Sequence, residues 1–241
     1  MASPPQFDAP VSRSKMSLGI RLVISFSMGL IGASAILFVP AGTVHFWAGW
    51  VYLTVLFVPT FVGYLYFFKH DPQLLERRLQ NKEEIREQKR LIQLSTPLFF
   101  AAFLLPNFDY RWGWSRGWLG AEPLWLMLLS QAMVLGGILV AVWVMSENRF
   151  AARTIQVEAG QMVISTGPYR FVRHPLYSGS VVLWIFTPLA LGSYITLPAF
   201  LLLVPFYVFR LLGEEKVLRA ELAGYSEYCL RTRFRLIPSV W

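Results

Sequence analysis

The chain is poor in cysteine, histidine and charge. Cys229 is its only cysteine, which excludes intrachain disulfides and a cysteine-rich zinc cluster. A lone thiol close to the C-terminus reads as a small buried apolar residue rather than a nucleophile. The three histidines, His45, His70 and His174, are scattered, so no metal site is expected. Charged residues make up 15% of the chain, where a soluble domain carries about 25%. No Gly-rich turn follows a strand pattern, which excludes a nucleotide-binding domain of the Rossmann type. There is no internal repeat.

What fills the sequence instead is apolar: 55% hydrophobic residues and a mean hydropathy of +0.48, collected into long runs. Residues 1–17 are polar and Pro-rich and are expected to form a disordered tail. Leu18–Pro40 is long enough to cross about 30 Å of hydrocarbon. Its Ala33-Ser34-Ala35 could be read as a signal-peptide cleavage site, but the apolar run continues past it, which favours a span. A second span runs from about His45 to Phe68, opened by the aromatic residues Phe46, Trp47, Trp50 and Tyr52. The charged loop 69–90 carries Leu74, Leu75 and Leu79 at helical spacing, as an interfacial helix would. Spans at about Leu91–Phe108 and Pro123–Met145 follow, joined by a Trp-rich interface loop.

After a hydrophilic stretch, Leu176–Leu191 and Tyr194–Leu212 are separated only by Gly192-Ser193. The spacing predicts a tight helical hairpin, bent by Pro188 and Pro198. From Gly213 onward, Leu218, Leu222, Tyr225 and Cys229 recur on one helical face, which predicts a cytosolic amphipathic helix. The expected fold is therefore all-α: a polytopic membrane protein with about six membrane helices, the last two a hairpin. Three regions follow: the tail 1–17, a four-helix membrane region 18–145, and a chemistry-bearing region 146–241.

Orientation follows from the basic residues. Of 22 lysines and arginines, only Arg111 and Arg116 fall in the even-numbered connections. The rest flank the other side, so the positive-inside rule places both termini in the cytosol. The net charge of +8 thus serves lipid headgroups and topology, and no nucleic-acid partner is expected.

Polar character in the last third is concentrated in TGPYRFVRHPLYSG (166–179) and in RLLGEE (210–215), both on the cytosolic side. A short hairpin brings the entrance of its first helix beside the exit of its second, so His174 and Tyr177 should lie near Arg210 and Glu214. Taken singly, these residues have ordinary explanations. Arg170 and Arg173 could anchor headgroups, a His before Pro could open a helix, and Glu214 and Glu215 could pair with Lys216 or Arg219. Ionisable groups at a membrane boundary are nevertheless costly unless paired or used, and their convergence at one face marks a site.

TGPYRFVRHPLYSG followed by RxxxEE and GYSEYCLRTRFRLIP closely resembles the isoprenylcysteine carboxyl methyltransferase superfamily, which includes phospholipid N-methyltransferases. PAGTVHFWAGWVYL and DPQLLERRLQ look like its prokaryotic branch, which implies a bacterial inner membrane. The resemblance implies S-adenosyl-L-methionine as cofactor. Gln156, Gln161, Met162, Val163, Ile164 and Tyr169 would line its pocket. His174, Pro175, Leu176 and Tyr177 would hold its methionine and adenosine parts. Glu214 would contact it, Arg210 would orient an anionic acceptor, and the residues after Gly213 would close over it. The acceptor would be a lipophilic molecule entering from the bilayer, with an isoprenylcysteine-like carboxylate slightly favoured over a phospholipid or another small hydrophobic acceptor. Eukaryotic relatives carry Asn-Phe-Asn-His and a preceding-helix arginine where this chain has Asn148-Arg149-Phe150-Ala151-Ala152-Arg153, and Arg149 or Arg153 could substitute for the missing basic residue. A transporter would place ionisable groups in mid-span, which this sequence does not. A scaffold that had lost catalysis would lack His174, Tyr177 or Glu214, and all three are present.

Overall fold

A computed structural model describes residues 17–79, 83, 85–151, 154–155, 157–158 and 160–241; the expected N-terminal tail lies almost entirely outside them. The described residues form helices and connections, with no strand among them. The helices are α1 (Leu18–Ala41), α2 (Trp47–His70), α3 (Pro72–Leu79), α4 (Arg86–Trp112), α5 (Trp114–Leu119), α6 (Leu124–Glu147), α7 (Pro175–Ala190), α8 (Leu197–Leu201), α9 (Val204–Glu221) and α10 (Tyr225–Arg231). Helices α1, α2, α4 and α6, and the combined run Leu197–Glu221, are long and apolar enough to cross a bilayer. The chain is an integral membrane protein.

The sequence pattern called for about six membrane helices, and five reach spanning length. The sixth, α7, has 16 residues and rises about 24 Å at 1.5 Å per residue, short of about 30 Å of hydrocarbon. Pro175 fixes its start at N1 behind His174, and Gly192, at φ +77°, follows its end. The turn of the hairpin also differs from the expected Gly192-Ser193 link. It occupies Leu191–Thr196, and the second arm is broken at Leu202-Leu203. Pro198 and Pro205 each sit in the first turn of a helix, α8 and α9, where a missing N–H costs nothing.

Nor is the tail a single amphipathic helix. The face bearing Leu218 and Leu222 belongs to the end of α9, and Gly224, at φ +82°, turns the chain into α10. The periodicity nevertheless describes one buried cluster, in which Leu222, Tyr225, Tyr228 and Cys229 pack with Leu218. The interfacial helix of the 69–90 loop is α3, with Leu74 and Leu75 fully buried.

Helix α6 packs closely on α7 because glycines meet there. A Cβ on Gly137 would lie 2.7 Å from the Gly179 carbonyl oxygen, and one on Gly179 would lie 2.9 Å from that of Gly137. Small residues permit such approach where no hydrophobic force separates helix from lipid. Buried polar ties fix the rest. Tyr52 Oη lies 2.8 Å from Thr187 Oγ1, and Gln131 Nε2 donates to the carbonyls of Ala48 at 3.2 Å and Ala190 at 2.9 Å. At the end of the bundle away from His174, the buried Asp109 carboxylate accepts from the Ser115 amide at 2.7 Å and from the hydroxyls of Ser115 and Ser193. This joins the α4–α5 corner to the hairpin turn. Gly179→Val should therefore push α6 and α7 apart and cost about 1–3 kcal/mol, as overpacking does. A lowered unfolding midpoint in detergent is the expected reading, and an unchanged one contradicts this packing.

Candidate functional site

The segment before α7 is held by the C-terminus. After a 3₁₀ turn at Gly167–Arg170, the backbone amides of Arg173 and His174 donate to the carbonyls of Phe234 at 2.9 Å and Arg235 at 3.0 Å. Ser178 Oγ, one turn into α7, donates to the Leu236 carbonyl at 2.7 Å. The chain past α10 thus runs as a strap along the start of α7.

The two glutamates, which α9 carries in its second half because it runs on past Leu212 to Glu221, part company, since neighbouring helical residues point in different directions. Glu215 is 4% exposed and is surrounded by nitrogen. Arg173 Nε lies 2.7 Å and His174 Nε2 3.3 Å from its Oε1, and Arg235 Nε lies 3.0 Å from its Oε2. Charge-assisted contacts of this kind are the strong ones. Glu214 instead accepts from Tyr177 Oη at 2.8 Å. The expected meeting of the hairpin ends is therefore observed, with His174 joined to Glu215 and Tyr177 to Glu214.

These groups open onto a cavity of about 840 Å³. Along α9 its wall is Leu203, Phe206, Tyr207, Arg210, Glu214 and Leu218, spaced by three and four residues, so that one helical face lines it over about 22 Å at 1.5 Å per residue. Across from them stand Tyr177, Ser180 and Trp184 of α7, and Leu91, Ile92, Ser95, Thr96 and Phe99 of α4. One end is consequently apolar and aromatic. The other is polar, bounded by the 161–164 segment, Tyr169, His174, Glu214 and Tyr225. Among the described residues, the amides of Met162, Val163 and Ile164 have no backbone partner, which leaves their edge available to a ligand.

The phenols of the polar end stay neutral. Burial pushes Tyr169 up to about 12, opposed by the Asn148 amide that donates to its Oη at 2.9 Å and reinforced by the Glu214 charge. Burial likewise raises Tyr225, with Glu215 adding to it; its Oη sits 3.4 Å from His174 Nε2.

Residues 125–223 match the family model described as phospholipid methyltransferase. This stretch of the chain is similar to the phospholipid methyltransferase family. The match agrees with the superfamily resemblance carried by TGPYRFVRHPLYSG and RxxxEE. No curated protein matches the chain. Within the matched stretch fall the hairpin, Glu214, Glu215 and the polar 161–164 edge. The α4 wall, Tyr225 and the C-terminal strap lie outside it.

Of the residues singled out in the sequence, Gln161, Met162, Val163, Ile164, Tyr169, His174, Pro175, Leu176, Tyr177, Arg210 and Glu214 all line this one cavity. Gln156 and Arg153 lie outside the described residues. Arg149 is exposed and does not line the cavity; its carbonyl accepts from Arg77 at 3.0 Å. Arg210 is ion-paired with Glu83 at 3.3 Å, a partner that carries no sequence signal. The α4 wall was equally hidden, because Ser95 and Thr96 read as tolerated hydroxyls within an apolar run.

Glu215→Ala should strand the cationic side chains of Arg173 and Arg235 and release the strap, at a cost of about 3–5 kcal/mol for a broken buried ion pair. Trypsin should then cut at Arg231, Arg233 or Arg235 faster than in the parent. Equal cleavage rates contradict the assignment.

Proposed function

We propose that this protein transfers a methyl group from S-adenosylmethionine to a lipophilic acceptor at the cytosolic face of its membrane. The observation that carries this reading is one cavity with two chemically distinct ends, polar at the mouth of the hairpin and apolar along α4, α7 and α9. A soluble cofactor and a lipid-like acceptor need such an arrangement, since each must reach the same point from a different solvent.

The residues of the polar end fit the cofactor. The Glu214 carboxylate suits its cationic groups, and the phenol faces of Tyr169 and Tyr177 suit them further. The amides of Met162, Val163 and Ile164, which have no backbone partner among the described residues, offer hydrogen bonds to a base, and His174, held by Glu215, can donate to a carboxylate. When bound, the cofactor supplies an activated methyl group. The protein's part is to align the acceptor with it and to exclude water, and held geometry of this kind contributes about 7–11 kcal/mol. Tyr177 Oη fixes the Glu214 side chain, while Phe206, Tyr207 and Trp184 shield the junction from solvent.

The acceptor's chain lies in the apolar end and enters from the bilayer. The name of the matched family supports a phospholipid, and the earlier expectation of an isoprenylcysteine carboxylate rests on Arg210. The basic residues support a cytosolic mouth: Arg111 and Arg116 sit at the other end of the bundle, around α5, while the other described arginines and lysines flank the cavity side.

Calorimetry should show the purified protein binding S-adenosylhomocysteine. The double variant His174→Ala, Glu214→Ala should bind it about ten- to a hundredfold more weakly, as loss of hydrogen bonds to charged groups implies. No binding by the parent, or equal binding by both, refutes the proposed pocket.

A further inference from the structure

Glu83 precedes α4, and its side chain is 5% exposed. It lies outside the family-matched stretch 125–223, yet its carboxylate reaches into the cavity wall. Oε2 lies 3.3 Å from Arg210 NH2 and accepts from the Ile155 amide at 3.4 Å. Arg210 stands on the lining face of α9 between Tyr207, of the apolar end, and Glu214, of the polar end. That is the junction where a lipophilic acceptor would present its reacting headgroup.

Charge on the wall is balanced around that point. The lining carboxylates are Glu83 and Glu214. Among the arginines, Arg173 is matched by Glu215 at 2.7 Å, and Arg78 donates to the Ala151 carbonyl at 3.1 Å. An anionic headgroup that takes the Nη2 side of Arg210 displaces Glu83 and leaves a carboxylate buried without its cation, which is costly. It must also approach while Glu214 and Glu83 both repel it. A headgroup without net negative charge meets neither penalty.

We propose that Glu83 is a specificity-determining residue of the acceptor site, which selects against acceptors carrying net negative charge at the reacting headgroup. Selection of this sort works through repulsion as much as attraction. The proposal rests on reading the cavity as a cofactor and acceptor site, and it moves the favoured acceptor away from a carboxylate.

The test uses the full-length protein in nanodiscs with saturating S-adenosylhomocysteine, whose own binding is measured first. The probes are dodecanoate, dodecan-1-ol and dodecylamine, which differ only in headgroup. The parent should bind dodecan-1-ol more tightly than dodecanoate. Glu83→Gln should improve dodecanoate binding by about tenfold or more and leave dodecan-1-ol unchanged. Arg210→Gln should move the other way, favouring dodecylamine. A parent that prefers dodecanoate, or variants that leave the headgroup ratios unmoved, overturns the role of Glu83. Should Glu83→Gln lose S-adenosylhomocysteine, the parent's order and the Arg210→Gln shift decide the matter. Failure of the parent to bind S-adenosylhomocysteine overturns instead the function on which this inference rests.

Discussion

The carboxylate of Glu215 is the interaction on which the rest of the site depends. It is buried in the second half of α9 and engaged by Arg173, His174 and Arg235, so it fastens α9 to the α7 entrance and the strap, which backbone hydrogen bonds already tie to each other. Arg173 and His174 belong to the entrance of α7, and Arg235 belongs to the strap. A charge held in so little water keeps its favourable energy only while its partners stay in place. The hairpin mouth is thereby fixed, and Glu214, one residue earlier, is aimed into the cavity.

Geometry then divides the labour between ends. The apolar wall is made by α4, α7 and α9 within the membrane part of the bundle, and the polar wall by connections and by α10. Aromatic rings bridge the two, with Tyr177 and Tyr207 centroids 6.2 Å apart and Trp184 and Tyr207 6.1 Å apart. The far end of the bundle has a separate task. There Asp109, Ser115 and Ser193 hold the α7–α8 turn against the α4–α5 corner, so that the short α7 cannot slide along its neighbours.

Much of this was legible in the sequence, for definite reasons. Apolar runs mark α1, α2, α4 and α6 because a bilayer demands uninterrupted length. Pro175 marks a helix start because it removes an amide that a first turn does not need. The clustering of polar residues at 166–179 and 210–215 indicated a site because charge at a membrane boundary is rarely idle. Other features could not be read this way. Glu214 and Glu215 are adjacent, and only packing decides which of them faces the cavity. Glu83 lies in a stretch of mixed charge without periodicity, and its reach to Arg210 spans 127 positions. The hydroxyls of Ser95 and Thr96 bond locally to the Ile92 carbonyl, so nothing in their spacing announces a cavity wall. The run Leu176–Leu191 gave α7 nearly its true bounds, whereas the turn reaches past Gly192-Ser193 to Thr196 because apolar residues continue through it.

The central claim is that one membrane-embedded cavity brings a methyl donor and a lipid-like acceptor together. Membranes containing the protein, incubated with methyl-labelled S-adenosylmethionine and then extracted with organic solvent, test it most directly. The account predicts label in a lipophilic product, lost when Glu214 is replaced by alanine. Label confined to the aqueous phase, or label in lipid that persists in the Glu214→Ala membranes, would contradict it.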